Sequence, residues 1–481
     1  MLIRRLFLAA SLVALSSGPS MAQGATRQST DTHAAQAPVA QPAPAQPPAA
    51  WVVEPRWVRA HEAFLASDAL QGRRSATRDE AIAAAYVAAQ FESYGLTPAP
   101  GMNGYLQTAT VVKFKPSGKA RLTAGNFELD ESKGLVLYYS AGRSVTGKLV
   151  IATGEDPATV PAGDVIMLAV SDKTPVSDWI GAAEAKGAKL IIMRESDALK
   201  KRWAAMGGRT RTPVFLADAP PKRSRAEMIV LPAAVFDTLK AKTGVTLTLD
   251  LGDMQRIEST TTNAIGYLAG SDPSAGVVLV TSHLDHLGVL DDGTVMHGAN
   301  DDASGTVAVL EVAHALAAGK QPKRGLLFVA YGAEEIGGMG STYFANHPPI
   351  PLERIVANLE FEMIGAQDPK LADGELMMTG FERSNLGETL KAKGARLAAD
   401  PYPEQHFFQR SDNYSLALKG IVAHTISGWA VTPTYHSPDD TIANLNLPFM
   451  TAAIQSLIVP VEYLVNSDFT PEWKTGGRPS E

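Results

Sequence analysis

Hydrophobic and polar positions change period several times along the 481-residue chain, and each change predicts a different element. Val58, His61, Phe64 and Leu65 recur at helical spacing, and the small-residue apolar face of residues 78–94 predicts a second helix. Gly95 ends that helix, and Pro98, Pro100 and Gly101 favour a turn. The middle of the chain has a shorter rhythm. Strands are expected at 135–139, 148–152, 165–170, 190–193, 214–217, 228–231 and 245–251, with helices at 175–186 and 198–206. This section reads as a separate, small, β-rich α/β module. After residue 262 a larger unit follows. Strands are predicted at 276–282, 326–331, 355–361, 376–379 and 421–426, between helices at 303–318, 386–393, 412–418 and 448–464. No repeat period accounts for the alternation, so a layered α/β sandwich is expected rather than a solenoid or propeller.

The first fifty residues lie outside this pattern. Arg4 and Arg5 precede a short apolar run at 6–15, and Ser20 and Ala22 place small residues before a cut that would leave Gln23 as the new terminus. Residues 1–22 therefore read as a secretory signal, too short in its apolar run to span a membrane. Residues 23–50, rich in Pro, Ala and Gln, read as an extended spacer with little apolar area to offset its ordering entropy. A periplasmic or secreted protein is expected, with no stable membrane insertion after cleavage.

Composition narrows the chemistry. There is no cysteine, which excludes disulfides, thiolate metal sites and a cysteine nucleophile. With 43 basic and 50 acidic side chains the formal charge is -7, which argues against a nucleic-acid partner.

The chemistry gathers at predicted strand ends. In TSHLDHLG, residues 281–288, His283 and Asp285 alternate onto one face, so Asp285 can accept from the His283 ring and fix its tautomer. Ideal alternation turns His286 away, and no catalytic role is needed for it. In GANDDASG, residues 298–305, Asp301 faces the cleft with two oxygens able to bridge two cations, while Asp302 can cap a helix or orient a neighbour. In AYGAEEIGGMGS, residues 330–341, Glu334 and Glu335 form an adjacent pair able to divide cation binding from proton transfer. In NLEFEMIG, residues 358–365, Glu360 and Glu362 share a strand face; Glu362 is the candidate ligand at the strand mouth, although period alone does not separate the two. His436, in TYHSPDDT at 434–441, can close the set, with Asp439 or Asp440 orienting its loop. Each segment alone is compatible with a structural role: a core or surface histidine, a capping aspartate or an acidic helix start.

Taken in order, these motifs resemble those of the M28 zinc peptidases, co-catalytic metallopeptidases that include many aminopeptidases. The resemblance runs from about residue 262 to the C-terminus and takes in the preceding helical segment; the segment RSDNYSLALKGI at 410–421 belongs to it. It implies a three-layer α/β sandwich with a central mixed, mostly parallel sheet, and a protease-associated-like insertion at 131–252. The peptidase domain would then comprise 51–130 and 253–468, with a tail at 469–481. It also implies two zinc ions per chain: one held by His283, Asp301 and Glu362, the other by Asp301, Glu335 and His436. Glu334 would be the general base and Asp285 the support of His283. Substrates would be peptides with a free N-terminus, and the reaction removal of the N-terminal residue by activated water. Carboxypeptidase, dipeptidase or glutaminyl-cyclase-like chemistry, or a non-catalytic metal-binding module, are the alternatives. Two positions depart from the family pattern, Glu362 in place of the more usual aspartate and Gly338 in place of a larger apolar residue. Oligomeric state is not legible in the sequence.

Overall fold

Val277–His283 and Gly325–Tyr331 are buried at every position, the pattern of parallel strands covered on both faces. They lie side by side at the centre of a nine-stranded sheet in the computed structural model, which describes residues 51–171, 173–205, 210–221 and 225–480. The signal and spacer segments expected before residue 51 lie outside the described residues. Ile355–Glu362 pairs in parallel with Val277–His283, and Ala423–Ser427 in parallel with Ile355–Glu362, so four central strands run the same way. On one side Met254–Leu268 and Leu106–Pro116 continue the sheet antiparallel; on the other, Leu376–Met378 reverses direction and Leu397–Ala399 pairs with it in parallel.

Strand alternation divides the core in two. Val278, Val280, Phe328 and Phe361 pack with Val58, Val87, Val307 and Ile454 from the helices Pro55–Leu65, Arg78–Ser93, Ser304–Ala318 and Leu447–Asn466. Val277, Leu279, Leu327 and Val329 face Phe344 of Met339–Asn346 and Leu416 of Asn413–Leu418. Helices thus cover both faces of a mixed sheet, giving three layers. Local chemistry sets the boundaries: the Thr77 side chain accepts from Asp79 N at the start of Arg78–Ser93, where Asp79 and Glu80 also favour the helix dipole. Leu447–Asn466 is long and apolar enough to cross a bilayer, but Met450, Ile454, Leu457 and Val461 are buried in the first core.

The strands between Arg121 and Asp250 build an eight-stranded sheet of their own. Val176–Ala185 packs Trp179 and Ala183 on one face, and Ala233–Lys240 packs Phe236 and Leu239 on the other. Two features depart from the expected pattern. The long hairpin-like pair Leu106–Pro116 and Met254–Leu268 is strand throughout, although its Thr- and Lys-containing positions carry little apolar signal. Val214–Leu216, expected among the strands of the middle section, leaves that sheet and pairs with Leu106–Pro116, Val111 opposite Leu216.

The fold buries a histidine that has no acidic partner among the described residues. His424 is fully buried, its Nε2 2.7 Å from Ser384 Oγ and its Nδ1 2.9 Å from Thr379 O. Burial, opposed in part by the Thr379 carbonyl and reinforced by the Arg383 charge, lowers its pKa from 6.5 to about 4. The unfolded chain therefore binds the extra proton between those values, so this contribution is complete above pH 6.5 and lost as pH falls to about 4. A shift of this size is worth about 3 kcal/mol. The denaturation midpoint is expected to fall through this window on acidification, and His424→Gln to remove part of that slope; an unchanged slope in the variant would contradict the assignment.

Candidate metal centre

The four central parallel strands end at one edge, the usual place for an open α/β site. His283 and Glu362 are the last residues of their strands, and Glu334 and Glu335 follow directly after Gly325–Tyr331 and its turn. Asp301 enters from the turn Ala299–Ala303 ahead of Ser304–Ala318, and His436 from a loop beyond Ala423–Ser427. His283 Nε2 lies 3.3 Å from Asp301 Oδ1, and His436 Nε2 lies 3.1 Å from both Asp301 Oδ2 and Glu335 Oε2. Among the described residues, two groups bring one donor atom from each member within 4.8 Å of the others: His283, Asp301 and Glu362, and His286, Asp301 and Glu335. Asp301 is common to both. All five sequence-predicted ligand candidates therefore meet in one place.

His286 is the residue that ideal alternation misplaced. The strand stops at His283, so the chain turns before His286 and carries its ring into the cluster, Nδ1 2.8 Å from Glu335 Oε1. Asp285 also differs from expectation. Its Oδ1 is 3.7 Å from His283 Nδ1, too far for a hydrogen bond. It accepts instead from Ser75 Oγ at 2.5 Å and from the backbone N–H groups of Glu334 at 3.0 Å and Glu335 at 3.3 Å. Asp285 thus fixes the acidic pair while staying within ion-pair range of the His283 imidazole.

Other buried acids hold the backbone that presents the donors. Asp302 accepts from Gly305 N, Met363 N and His283 N, joining helix start, strand end and strand. Asp440 accepts from Asn300 N at 2.8 Å and Asp301 N at 3.0 Å. Glu360 accepts from Ser411 Oγ, Thr425 Oγ1 and Asn413 N, which occupies it with the 411–413 segment and leaves Glu362 at the mouth. Ala333 and Met363, each directly beyond a strand end or its turn, have φ of 55° and 54°. This left-handed conformation is uncommon without glycine and persists where surroundings determine it. Here Glu80 Oε2 receives Ala333 N at 3.1 Å, and Asp302 Oδ1 receives Met363 N at 3.0 Å.

The unpaired atoms test whether a cation suits the cluster. Both ring nitrogens of His283 and of His286, with Asp301 Oδ2 and Glu335 Oε1, are buried without an aligned hydrogen-bond partner among the described residues. Buried polar atoms are rarely left so, and imidazole nitrogens with carboxylate oxygens are the donors that zinc accepts. Without ions, the groups perturb one another. Burial would raise the Asp301 pKa, but His283, His436 and His286 hold it well below the usual range. Burial would lower His436, yet Asp301 and Glu335 raise it to about 10. Burial, reinforced by Asp412, Glu335 and Glu362, pushes the Glu334 carboxyl well up, with His283 opposing.

Residues 263–459 match the family model described as Peptidase family M28. The chain carries an M28 peptidase domain. Leupeptin-inactivating enzyme 1 of Streptomyces exfoliatus is 32% identical over 199 residues, 38% of this chain and 44% of that protein. Aminopeptidase YwaD of Bacillus subtilis (strain 168) is 28% identical over 176 residues, 35% of this chain and 37% of it. These matches span less than half of the relatives' length. The fold is similar over a wider range to two solved structures. An aminopeptidase from Aneurinibacillus sp. strain AM-1 aligns at TM-score 0.58 and 20% identity, covering 86% of this chain and 94% of that one. A zinc aminopeptidase from Bacillus subtilis aligns at 0.52 and 18%, covering 86% and 96%.

The M28 domain is fastened from outside its matched range, by residues that sequence reasoning did not single out. Arg73 is fully buried and donates to Leu65 O, Leu284 O, His297 O and Gly298 O, at 2.6 to 2.9 Å. One guanidinium therefore ties the first helix to the strand exit after His283 and to the turn before Asp301. A charged residue in a Gly-Arg-Arg turn was the available signal, but its partners are carbonyls no motif encodes. Arg73→Met is expected to destabilise the fold by about 3–5 kcal/mol, because four acceptors and buried Glu62 lose their cation. Chemical denaturation would measure this, and a midpoint equal to wild type would contradict the clamp.

Beside Glu334 lies a cavity of about 500 Å³ bordered by Gly338, Ser341, Arg410 and Asp412. Gly338 has φ 64°, and a Cβ there would sit 3.3 Å from Asp412 Oδ1 and from Ser341 Oγ. Gly338, expected from the sequence to depart from the resembled pattern, thus lies on the wall of that cavity.

Proposed function

We propose that this chain is an exported aminopeptidase that uses two zinc ions to remove the N-terminal residue of peptides. The observation that carries the reading is the pair of donor groups sharing Asp301, with Glu334 beside them and in neither group. His283, Asp301 and Glu362 would hold one ion; Asp301, Glu335 and His436 would hold the other. When bound, the ions supply Lewis-acid polarisation of a peptide carbonyl and acidification of water. The Glu334 carboxylate takes the proton from water attacking the carbonyl and returns it to the departing amine. Asp285 keeps that carboxylate in register through the backbone N–H groups of Glu334 and Glu335. Burial of the site excludes bulk water and strengthens each of these interactions. Glu362, longer by a methylene than the more usual aspartate, retains charge and both oxygens. The name of the Bacillus subtilis relative, an aminopeptidase, supports the exopeptidase reading. The separate sheet between Arg121 and Asp250 would be a protease-associated-like insertion that borders substrate access.

Chelation is expected to abolish hydrolysis of free-amine peptides, and added zinc to restore it; turnover untouched by chelation would exclude a metallopeptidase. Glu334→Gln is expected to lower kcat by about 10²–10⁴ while two zinc ions remain bound, as elemental analysis and steady-state kinetics would show. Acetylating the substrate N-terminus should stop hydrolysis, whereas amidating the C-terminus should not; the opposite pattern would indicate carboxypeptidase chemistry. N-terminal sequencing of protein recovered from the periplasm or medium should begin at Gln23.

A further inference from the structure

His286 stands in a position that neither the proposed ligand set nor the hydrogen-bond network explains. Its ring is fully buried, its Nδ1 lies 2.8 Å from Glu335 Oε1 and 3.8 Å from Asp301 Oδ2, and its edge meets the His436 ring at 5.7 Å. Despite the short distance, Nδ1 and Oε1 are not aligned as donor and acceptor, and Nε2 has no partner among the described residues either. A hydrogen bond requires the N–H to point at the oxygen. Two ligands of one cation are close for a different reason: both lone pairs aim at a shared third point. His436 approaches the same two carboxylates from its own loop, at 3.1 Å from each.

The ring is placed by design of the surrounding backbone. His286 N donates to Arg73 O at 3.0 Å, and His286 O accepts from Ser75 N at 3.3 Å. Gly298 leaves room for both the Asp301 carbonyl and this ring, since a Cβ there would lie 2.3 Å from Asp301 O, 2.5 Å from His286 Cγ and 2.6 Å from Cδ2.

We propose that His286 is a protein ligand of the second ion, together with Asp301, Glu335 and His436. The inference rests on the dizinc reading above and deepens it. The second site then has two imidazoles and the first, built from His283, Asp301 and Glu362, has one.

Zinc X-ray absorption on the full-length holoenzyme tests this without a variant. Three imidazoles shared between two zinc ions are expected; a fit with two imidazoles would overturn the proposal while leaving the dizinc reading intact. A holoenzyme that binds fewer than two zinc ions overturns both. His286→Asn keeps an N–H donor near the position of Nδ1 but removes the imidazole. If His286 is a ligand, chelator competition should show the second zinc weakened by more than the roughly 10–100-fold that an outer-shell partner costs, with the first zinc unchanged. A loss within that roughly 10–100-fold range in His286→Asn, or none, would overturn ligation and leave the residue at most orienting Glu335.

Discussion

The structure turns on the cost of taking carboxylates out of water. Asp285, Asp302 and Glu360 are fully buried, Asp301 and Asp440 nearly so, and all crowd one edge of a single sheet. An isolated buried carboxylate is prohibitively expensive unless donors or cations meet it. The chain meets it in two distinct ways. Asp285, Asp302, Asp440 and Glu360 consume backbone N–H groups and hydroxyls, which converts their burial into a rigid frame. Asp301 is denied that solution on its cleft side, where it faces imidazoles instead. The acids that frame the site are satisfied by the protein, whereas Asp301 and Glu335 each keep a buried oxygen without a hydrogen-bond partner among the described residues.

Much of this was legible before the fold was known, and the reason is physical. Buried parallel strands have no solvent face, so Val277–His283 and Gly325–Tyr331 read as continuous apolar runs, and any charged residue directly after such a run stands out. His283, Glu334, Glu335 and Glu362 were visible on that basis. Period alone could not separate Glu360 from Glu362, because both share a face; what separates them is the 411–413 segment, which lies fifty residues downstream and occupies the first. His286 was misjudged because alternation was extended past the strand end. Periodicity holds only as long as the ladder does.

The least legible parts were those whose partners are backbone atoms. Arg73 reaches the site through carbonyls and Glu80 mainly through N–H groups, which impose no complementary side chain elsewhere in the sequence; Ser75 meets Asp285 through a single hydroxyl contact that no motif marks. The strand Leu106–Pro116 was equally obscure, since an antiparallel strand with polar positions carries half the hydrophobic signal of a central one. Both belong to the segment before the matched domain. The site is therefore recognisable from one part of the chain and held in shape by another.

Val214–Leu216 gives the inserted section a second consequence. Leu106–Pro116 would otherwise present open backbone groups along that stretch, and the short strand covers Val111 to Lys113. An insertion that donates a strand to its host cannot be excised as a cassette. Trimming the chain to its two flanking pieces would uncover an adhesive rim suited to self-association, so protection of the central sheet's edge is entrusted to the section between Arg121 and Asp250.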